Sequence, residues 1–165
     1  MKNLEIYSKP KKVPIKTIIE YLKFSIDFIF GQNLKKYRKL KIKIFFDDNG
    51  ILKDMEKESK TYIYGVCLPE DGSRNPNTFQ IFVKNDLSKK QTLTTLSHEL
   101  VHVYQYRTGL MRNTQKYIIW KNKKYDKDIV SNGLDENENL CPWEEKAFSM
   151  ENEIYESFKK SKESR

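Results

Sequence analysis

The stretch Leu96-Ser97-His98-Glu99-Leu100-Val101-His102 places two imidazoles four residues apart, with a carboxylate directly after the first imidazole. On a helix, residues i and i+4 lie on one face, one turn apart. His98 and His102 can therefore bind the same metal ion, with the Zn–N bonds of about 2.0–2.1 Å that zinc forms with imidazole. Glu99 lies about 100° further round the helix, beside such an ion rather than on it.

The pattern HExxH indicates a zinc-dependent hydrolase. Zinc lowers the pKa of a bound water towards about 7, and Glu99 is placed to take a proton from that water as a general base. Both histidines of the chain belong to the motif, and random placement of residues of this composition would give about 0.002 matches. We therefore favour metal binding over the alternative, which is a structural pair of partly buried histidines.

The helix that carries the motif has recognisable ends. Ser88 and Gln91 form the pattern of a capping box at its start, and Gly109 is typical of the residue that follows a helix. Its apolar stripe consists of Leu93, Leu96, Leu100, Val103 and Tyr104. The two histidines project about 140–180° away from Leu93, so we expect the stripe to face the core and the histidines to lie off it.

A catalytic zinc site has three protein ligands, and the chain has no third histidine. An acidic residue must then supply the third ligand, and the best candidate lies in Cys141-Pro142-Trp143-Glu144-Glu145-Lys146-Ala147-Phe148. Pro142 suits the first position of a helix. Ala147 shares a face with Glu144 and is small enough to let this helix approach the motif helix closely. We prefer Glu144 as the ligand; Glu145 is the nearest alternative and Cys141 is a weaker one.

The HELVH segment, followed some forty residues later by Pro-Trp-Glu-Glu-Lys-Ala-Phe, resembles the small gluzincin-type zinc metallopeptidases. In that family an HExxH helix is joined by a glutamate from a later ExxA helix, and uncharacterised members occur in phages and bacteria. The resemblance covers approximately residues 78–155. It implies a zincin-like α+β fold, a Zn²⁺ cofactor held by His98, His102 and Glu144, Glu99 as the general base, and a peptide or protein substrate.

The resemblance also suggests where a substrate would lie. A strand over residues 79–83, if it forms the edge of the sheet beside the cleft, would pair with an extended peptide. Its residues are Phe79, Gln80, Ile81, Phe82 and Val83. Tyr104, Tyr106 and Tyr125 are candidates for polarising the scissile carbonyl, and the sequence does not choose among them.

The remaining elements are predicted from hydrophobic periodicity. Apolar residues recur at helical spacing over residues 14–34, and strands are expected over residues 40–46, 61–68 and 78–83. We predict an N-terminal helix and a small, mostly antiparallel sheet, followed by the motif helix and the C-terminal helix. A hairpin or extended excursion is expected around residues 117–125, and residues 126–140 are expected to form a loop.

The chain has 165 residues, which is enough for one domain with a hydrophobic core. We predict a flexible basic arm over residues 1–12, a single metallopeptidase-like domain over residues 13–160 and a polar tail over residues 161–165. No uncharged apolar run approaches the roughly 18 residues that a membrane span requires. The start of the chain also lacks the apolar segment of a secretory signal. Cys67 and Cys141 are interpreted as reduced thiols, and we expect a cytoplasmic protein.

The net charge of +8 is concentrated at the front of the chain, since residues 1–43 contain 12 Lys or Arg and 3 Asp or Glu. Such a section can attract nucleic acid or an acidic protein partner. The alternative function is therefore a catalytically silent, zinc-stabilised binding protein. We prefer to interpret the charge as a lysine-rich solvated face, because no nucleic-acid-binding motif accompanies it.

Overall fold

A computed structural model of the protein describes residues 3–31, 37–47, 50–59, 61–130 and 133–163. Within these ranges the chain forms an α+β fold with four helices and two small sheets. The helices are α1 (Ile15–Phe30), α2 (Ile51–Ser59), α3 (Lys89–Arg107) and α4 (Pro142–Glu163). The strands are β1 (Leu4–Ile6), β2 (Lys41–Asp47), β3 (Gly65–Pro69), β4 (Thr78–Lys84), β5 (Met111–Asn113), β6 (Tyr117–Trp120) and β7 (Lys123–Asp126).

The first sheet has the strand order β1-β2-β4-β3. Strand β2 pairs in parallel with both β1 and β4, and only β3 pairs in an antiparallel manner, with β4. The prediction of a mostly antiparallel sheet is therefore wrong for this sheet. Parallel neighbours need a long crossover connection. Helix α1 lies between β1 and β2 in the chain. Helix α2, which was not predicted from the sequence, lies between β2 and β4.

The predicted substrate strand, residues 79–83, is not at the sheet edge. It belongs to β4, which is hydrogen-bonded to β2 on one side and to β3 on the other. Both rows of its backbone groups are thus used within the sheet, and no peptide can pair with it. The edge strand on this side is β3.

The described residues near both ends of the chain lie in or beside regular secondary structure. Strand β1 pairs with β2, and the backbone N–H of Lys11 donates a hydrogen bond to Asn85 Oδ1 at 2.7 Å. The described part of the predicted flexible arm is therefore attached to the sheet. At the other end α4 continues to Glu163, so the predicted polar tail begins inside a helix. Residues 164–165 lie outside the described residues.

The core lies between the first sheet and helices α1, α3 and α4. Alternate residues of β2, beginning with Ile42, are buried on the inner face of the sheet. The predicted apolar stripe of α3 is confirmed: its four aliphatic residues are buried in this core, and Tyr104 packs against it. Helix α1 ends at Phe30, and Gly31 follows with a φ of +49°. Residues 32–34, the last part of the predicted helix, lie outside the described residues.

A second, smaller sheet has the order β5-β6-β7 and is antiparallel throughout. It confirms the hairpin expected around residues 117–125. The sheet covers a separate apolar cluster that contains Met111, Trp120, Cys141 and Trp143. Because Trp143 belongs to the first turn of α4, the second sheet helps to fix the start of that helix. Among the described residues, no helix has the length and apolar character needed to cross a membrane.

Candidate metal centre

Helices α3 and α4 bring His98, His102 and Glu144 together, with one ligand atom from each lying within 4.8 Å of the others. The two Nε2 atoms of the histidines are 3.1 Å apart. The carboxylate of Glu144 faces both rings, with Oε2 at 3.1 Å from His98 Nε2 and Oε1 at 3.4 Å from His102 Nε2. Three groups able to bind a metal therefore converge on one point.

These separations fit a zinc ion. Ligand atoms bound at about 2.0–2.1 Å in a tetrahedral arrangement lie about 3.3 Å from one another. The two Nε2 atoms are 3.1 Å apart, and Glu144 Oε2 lies 3.1 Å from His98 Nε2, so both distances are close to this value. The distance of 3.4 Å to His102 Nε2 is from the other carboxylate oxygen, Oε1. Two neutral imidazoles and one carboxylate are also a ligand set that zinc accepts in catalytic sites.

Each histidine is oriented by a hydrogen bond at its other ring nitrogen. His98 Nδ1 lies 2.9 Å from Glu151 Oε2, and His102 Nδ1 lies 2.8 Å from Gln105 Oε1. Since both partner atoms are acceptors, each Nδ1 carries a proton, and each neutral ring then has its lone pair on Nε2. Such partners fix the tautomer and orientation of a metal ligand.

Glu151 and Gln105 were not among the site residues predicted from the sequence. A local signal exists for each, because Gln105 is three residues after His102 and Glu151 is seven residues after Glu144. These spacings place Gln105 on the face of α3 that carries His102, and Glu151 on the face of α4 that carries Glu144. A polar residue at such a spacing from a predicted ligand is the signal that could have found them.

The charges of the cluster stabilise one another in the chain without metal. Burial alone would raise the pKa of Glu144, but hydrogen bonds from His102 and His98 outweigh it and hold the pKa well below its usual range. Burial would lower the pKa of His98, whereas hydrogen bonds with Glu144 and Glu151 raise it to about 10. The pKa of His102 is raised for the same reason, chiefly by Glu144 acting against burial.

Glu99 lies next to this cluster, with 5% of its surface exposed. Burial raises its pKa, and the neighbouring histidines oppose the rise. The carboxylate faces β3, because a Cβ atom added to Gly65 would lie 3.2 Å from Glu99 Oε1. Glu99 lines two adjoining cavities, of about 280 and 530 Å³, and His98 and Glu144 line both of them as well.

Glu144 rather than Glu145 belongs to the cluster. Glu145 is exposed to solvent, as expected for the next residue along a helix. The stem of Glu144 lies against Gly133, where a Cβ atom would come within 2.5 Å of Glu144 Cγ. Gly133 has a φ of +79°, so a glycine suits this loop position for two separate reasons. Cys141 is buried in the second apolar cluster and is not part of the metal-binding group.

Of the three candidate tyrosines, Tyr106 lines the smaller cavity together with His102. Tyr104 instead packs against Phe30 in the core, with ring centroids 5.4 Å apart. The ring of Tyr125 packs edge-on against Trp143 at 5.1 Å, in the second apolar cluster. Neither Tyr104 nor Tyr125 is among the residues that line the two cavities beside Glu99.

Comparison of the chain with models of known families, with curated proteins and with solved structures finds no match.

Proposed function

We propose that the protein is a zinc metallopeptidase of the gluzincin type, with a zincin-like arrangement of its sheet and two ligand helices. One observation carries the proposal: the two Nε2 atoms and the Glu144 carboxylate converge at zinc-like separations, with the Glu99 carboxylate beside them in the same cavity. His98, His102 and Glu144 would hold the metal. Glu99 would act as the general base that takes a proton from water.

When bound, zinc would supply a Lewis acid that polarises the scissile carbonyl and lowers the pKa of a coordinated water towards about 7. The carboxylate of Glu99 accepts a proton from the attacking water and delivers it to the nitrogen of the leaving amine. Burial raises the pKa of Glu99, which makes its carboxylate a stronger base towards water.

A peptide substrate is supported by the free edge of β3. The backbone N–H of Lys84 donates to the carbonyl of Tyr64, and the pairing of β3 with β4 is antiparallel. In such a ladder alternate residues turn their N–H and C=O groups outward. In β3 these are Gly65 and Cys67, both of which line the cavity that contains Glu99. An extended peptide can add to this edge and cross the candidate metal centre.

Tyr106 is the tyrosine that we propose as a hydrogen-bond donor to the substrate. It lines the same cavity as Glu99 and His102. Burial raises the pKa of Tyr106, so its hydroxyl keeps its proton at neutral pH. A protonated hydroxyl can donate to the carbonyl oxygen as negative charge develops on it.

The alternative, a zinc-stabilised binding protein for nucleic acid, gains no specific support. On β2, Lys41 lies 3.0 Å from Glu5 and Lys43 lies 2.6 Å from Glu70. These lysines are balanced by carboxylates, so this part of the basic section does not present unpaired positive charge to phosphates. The alternative remains an outcome of the experiment below.

We propose that the protein acts in the cytoplasm. Cys67 and Cys141 are both free and buried. Unpaired thiols are typical of a reducing compartment.

The test is a comparison of Glu99→Gln with the wild type on unfolded proteins, with Glu145→Gln as a matched control on an exposed carboxylate. We expect Glu99→Gln to retain zinc and to lose hydrolysis by at least about 100-fold, because a general base contributes that much or more. Unchanged hydrolysis would overturn the role of Glu99. No turnover by the wild type, together with salt-sensitive nucleic-acid binding that survives Glu99→Gln, would favour the binding protein.

A further inference from the structure

Gln105 makes two hydrogen bonds in the interior of the protein, where 1% of its surface is exposed. Its Oε1 atom lies 2.8 Å from His102 Nδ1. Its amide nitrogen donates to the backbone carbonyl of Trp143 at 2.9 Å. One side chain therefore joins a candidate ligand on α3 to the first turn of α4.

The orientation of the Gln105 amide follows from its partners. The carbonyl of Trp143 can only accept a hydrogen bond, so the amide nitrogen must face it. The amide oxygen then faces His102, and it can only accept a hydrogen bond from the Nδ1–H group. A neutral His102 ring consequently has its free lone pair on Nε2, the atom that faces Glu144 and His98.

The second hydrogen bond acts on the third ligand. Trp143 directly precedes Glu144, and its own ring is fixed in the second apolar cluster, where it is 3% exposed. A hydrogen bond from Gln105 to this residue holds the start of α4 at a set distance from α3. Loss of the bond would free the backbone that carries Glu144.

We propose that Gln105 is a positioning residue for two ligands at once, His102 through its tautomer and Glu144 through the backbone of Trp143. The proposal rests on the proposed zinc site, but not on hydrolysis. A leucine at position 105 would fill similar space and leave His102 Nδ1 and the Trp143 carbonyl without this partner. A glutamate would still accept from His102 but could not donate to Trp143 when ionised.

The experiment measures zinc affinity by competition with a chelator, and the exchange of imidazole protons by NMR of ¹⁵N-labelled protein. The chain has two histidines, so two imidazoles give signals. Variants Gln105→Leu and Gln105→Glu are compared with the wild type. Tyr21→Phe is the control. It removes a buried hydrogen bond of 2.9 Å between Tyr21 on α1 and Ser97, which lies on α3 like Gln105.

In the wild type we expect a slowly exchanging Nδ1–H signal from His102. Gln105→Leu should lose this protection and bind zinc about 10- to 100-fold more weakly, as is typical when the partner of a metal-bound histidine is removed. Gln105→Glu should keep the protection and still bind zinc more weakly than the wild type. Tyr21→Phe should be less stable but should bind zinc as the wild type does.

The proposal is overturned if Gln105→Leu binds zinc within about twofold of Tyr21→Phe and keeps the His102 signal protected. It is also overturned if His102 Nδ1–H exchanges freely in the wild type with zinc bound, a result that does not depend on the folding of any variant. A chain that binds no zinc would instead overturn the proposed function.

Discussion

The carboxylate of Glu151 lies 2.9 Å from His98 Nδ1, although 53 positions separate the two residues in the chain. His98 is thus held between two carboxylates, Glu151 at Nδ1 and Glu144 at Nε2. Burial would lower the pKa of His98, but these two hydrogen bonds raise it to about 10. Without metal, these two bonds favour the doubly protonated form of His98, and its second proton occupies Nε2, the nitrogen that zinc would bind.

This relationship predicts proton release on zinc binding. Near a pH of about 7.5, which is below the raised pKa, His98 must lose a proton before Nε2 can bind zinc. Glu151→Gln removes one of the charges that raise the pKa, so fewer protons should be released. Zinc affinity should fall by about 10- to 100-fold. Calorimetry in buffers with different ionisation enthalpies measures both quantities.

The matched control is Glu153→Gln, which neutralises an exposed carboxylate two residues further along α4. It should leave zinc affinity and proton release unchanged. Equal proton release by Glu151→Gln and the wild type would contradict the role of Glu151 at His98.

A second prediction concerns the approach of β3 to Glu99. A Cβ atom at Gly65 would lie 2.6 Å from Thr95 Cγ2 and 3.0 Å from the carbonyl oxygen of Phe82, so Gly65→Ala must displace packed atoms. We expect a loss of about 1–3 kcal/mol in the free energy of unfolding, as is typical of overpacking. Hydrolysis should fall while zinc content stays the same. Urea denaturation and zinc analysis give the two readouts.

Gly72→Ala is the control for Gly65→Ala, because a Cβ atom at Gly72 meets nothing within 4 Å. Similar stability and activity for the two alanine variants would argue against a close approach of β3 to the site.

A third prediction separates backbone strain from displacement of a ligand. Gly133 and Gly31 both have positive φ, of +79° and +49°, a range that residues with a Cβ rarely adopt, so an alanine at either position should cost about 1–3 kcal/mol of stability. Only at Gly133 would the added Cβ also come within 2.5 Å of Glu144 Cγ. Gly133→Ala should therefore weaken zinc binding, measured by chelator competition. Gly31→Ala should leave zinc affinity unchanged. If it weakened zinc binding as much as Gly133→Ala does, this explanation would be contradicted.

The parts of the structure that were predictable from sequence depend on local spacing. The capping box of Ser88 and Gln91 is present, since both of its hydrogen bonds form within four residues. The i, i+4 spacing of His98 and His102 likewise needs only a helix. Two predictions for Tyr104 disagreed, because it was both a member of the apolar stripe and a candidate for the site. The structure agrees with the stripe, since Tyr104 packs against the core.

The errors concern contacts between distant segments. Strand β1 is only three residues long. It pairs in parallel with β2 because α1 returns the chain to the end of the sheet at which β1 began. The central position of β4 depends on the same crossovers, and it moves the free edge from residues 79–83 to β3. The contact of Glu151 with His98 depends on how α3 and α4 are aligned, which the spacing within either helix does not determine.

The most direct test of the central claim is the zinc content of the purified wild type, Glu144→Ala and Glu145→Ala. The cluster of His98, His102 and Glu144 predicts one zinc per chain in the wild type and in Glu145→Ala, and little zinc in Glu144→Ala. A wild type without zinc, or a Glu144→Ala variant that keeps its zinc while Glu145→Ala loses it, would contradict the proposed site.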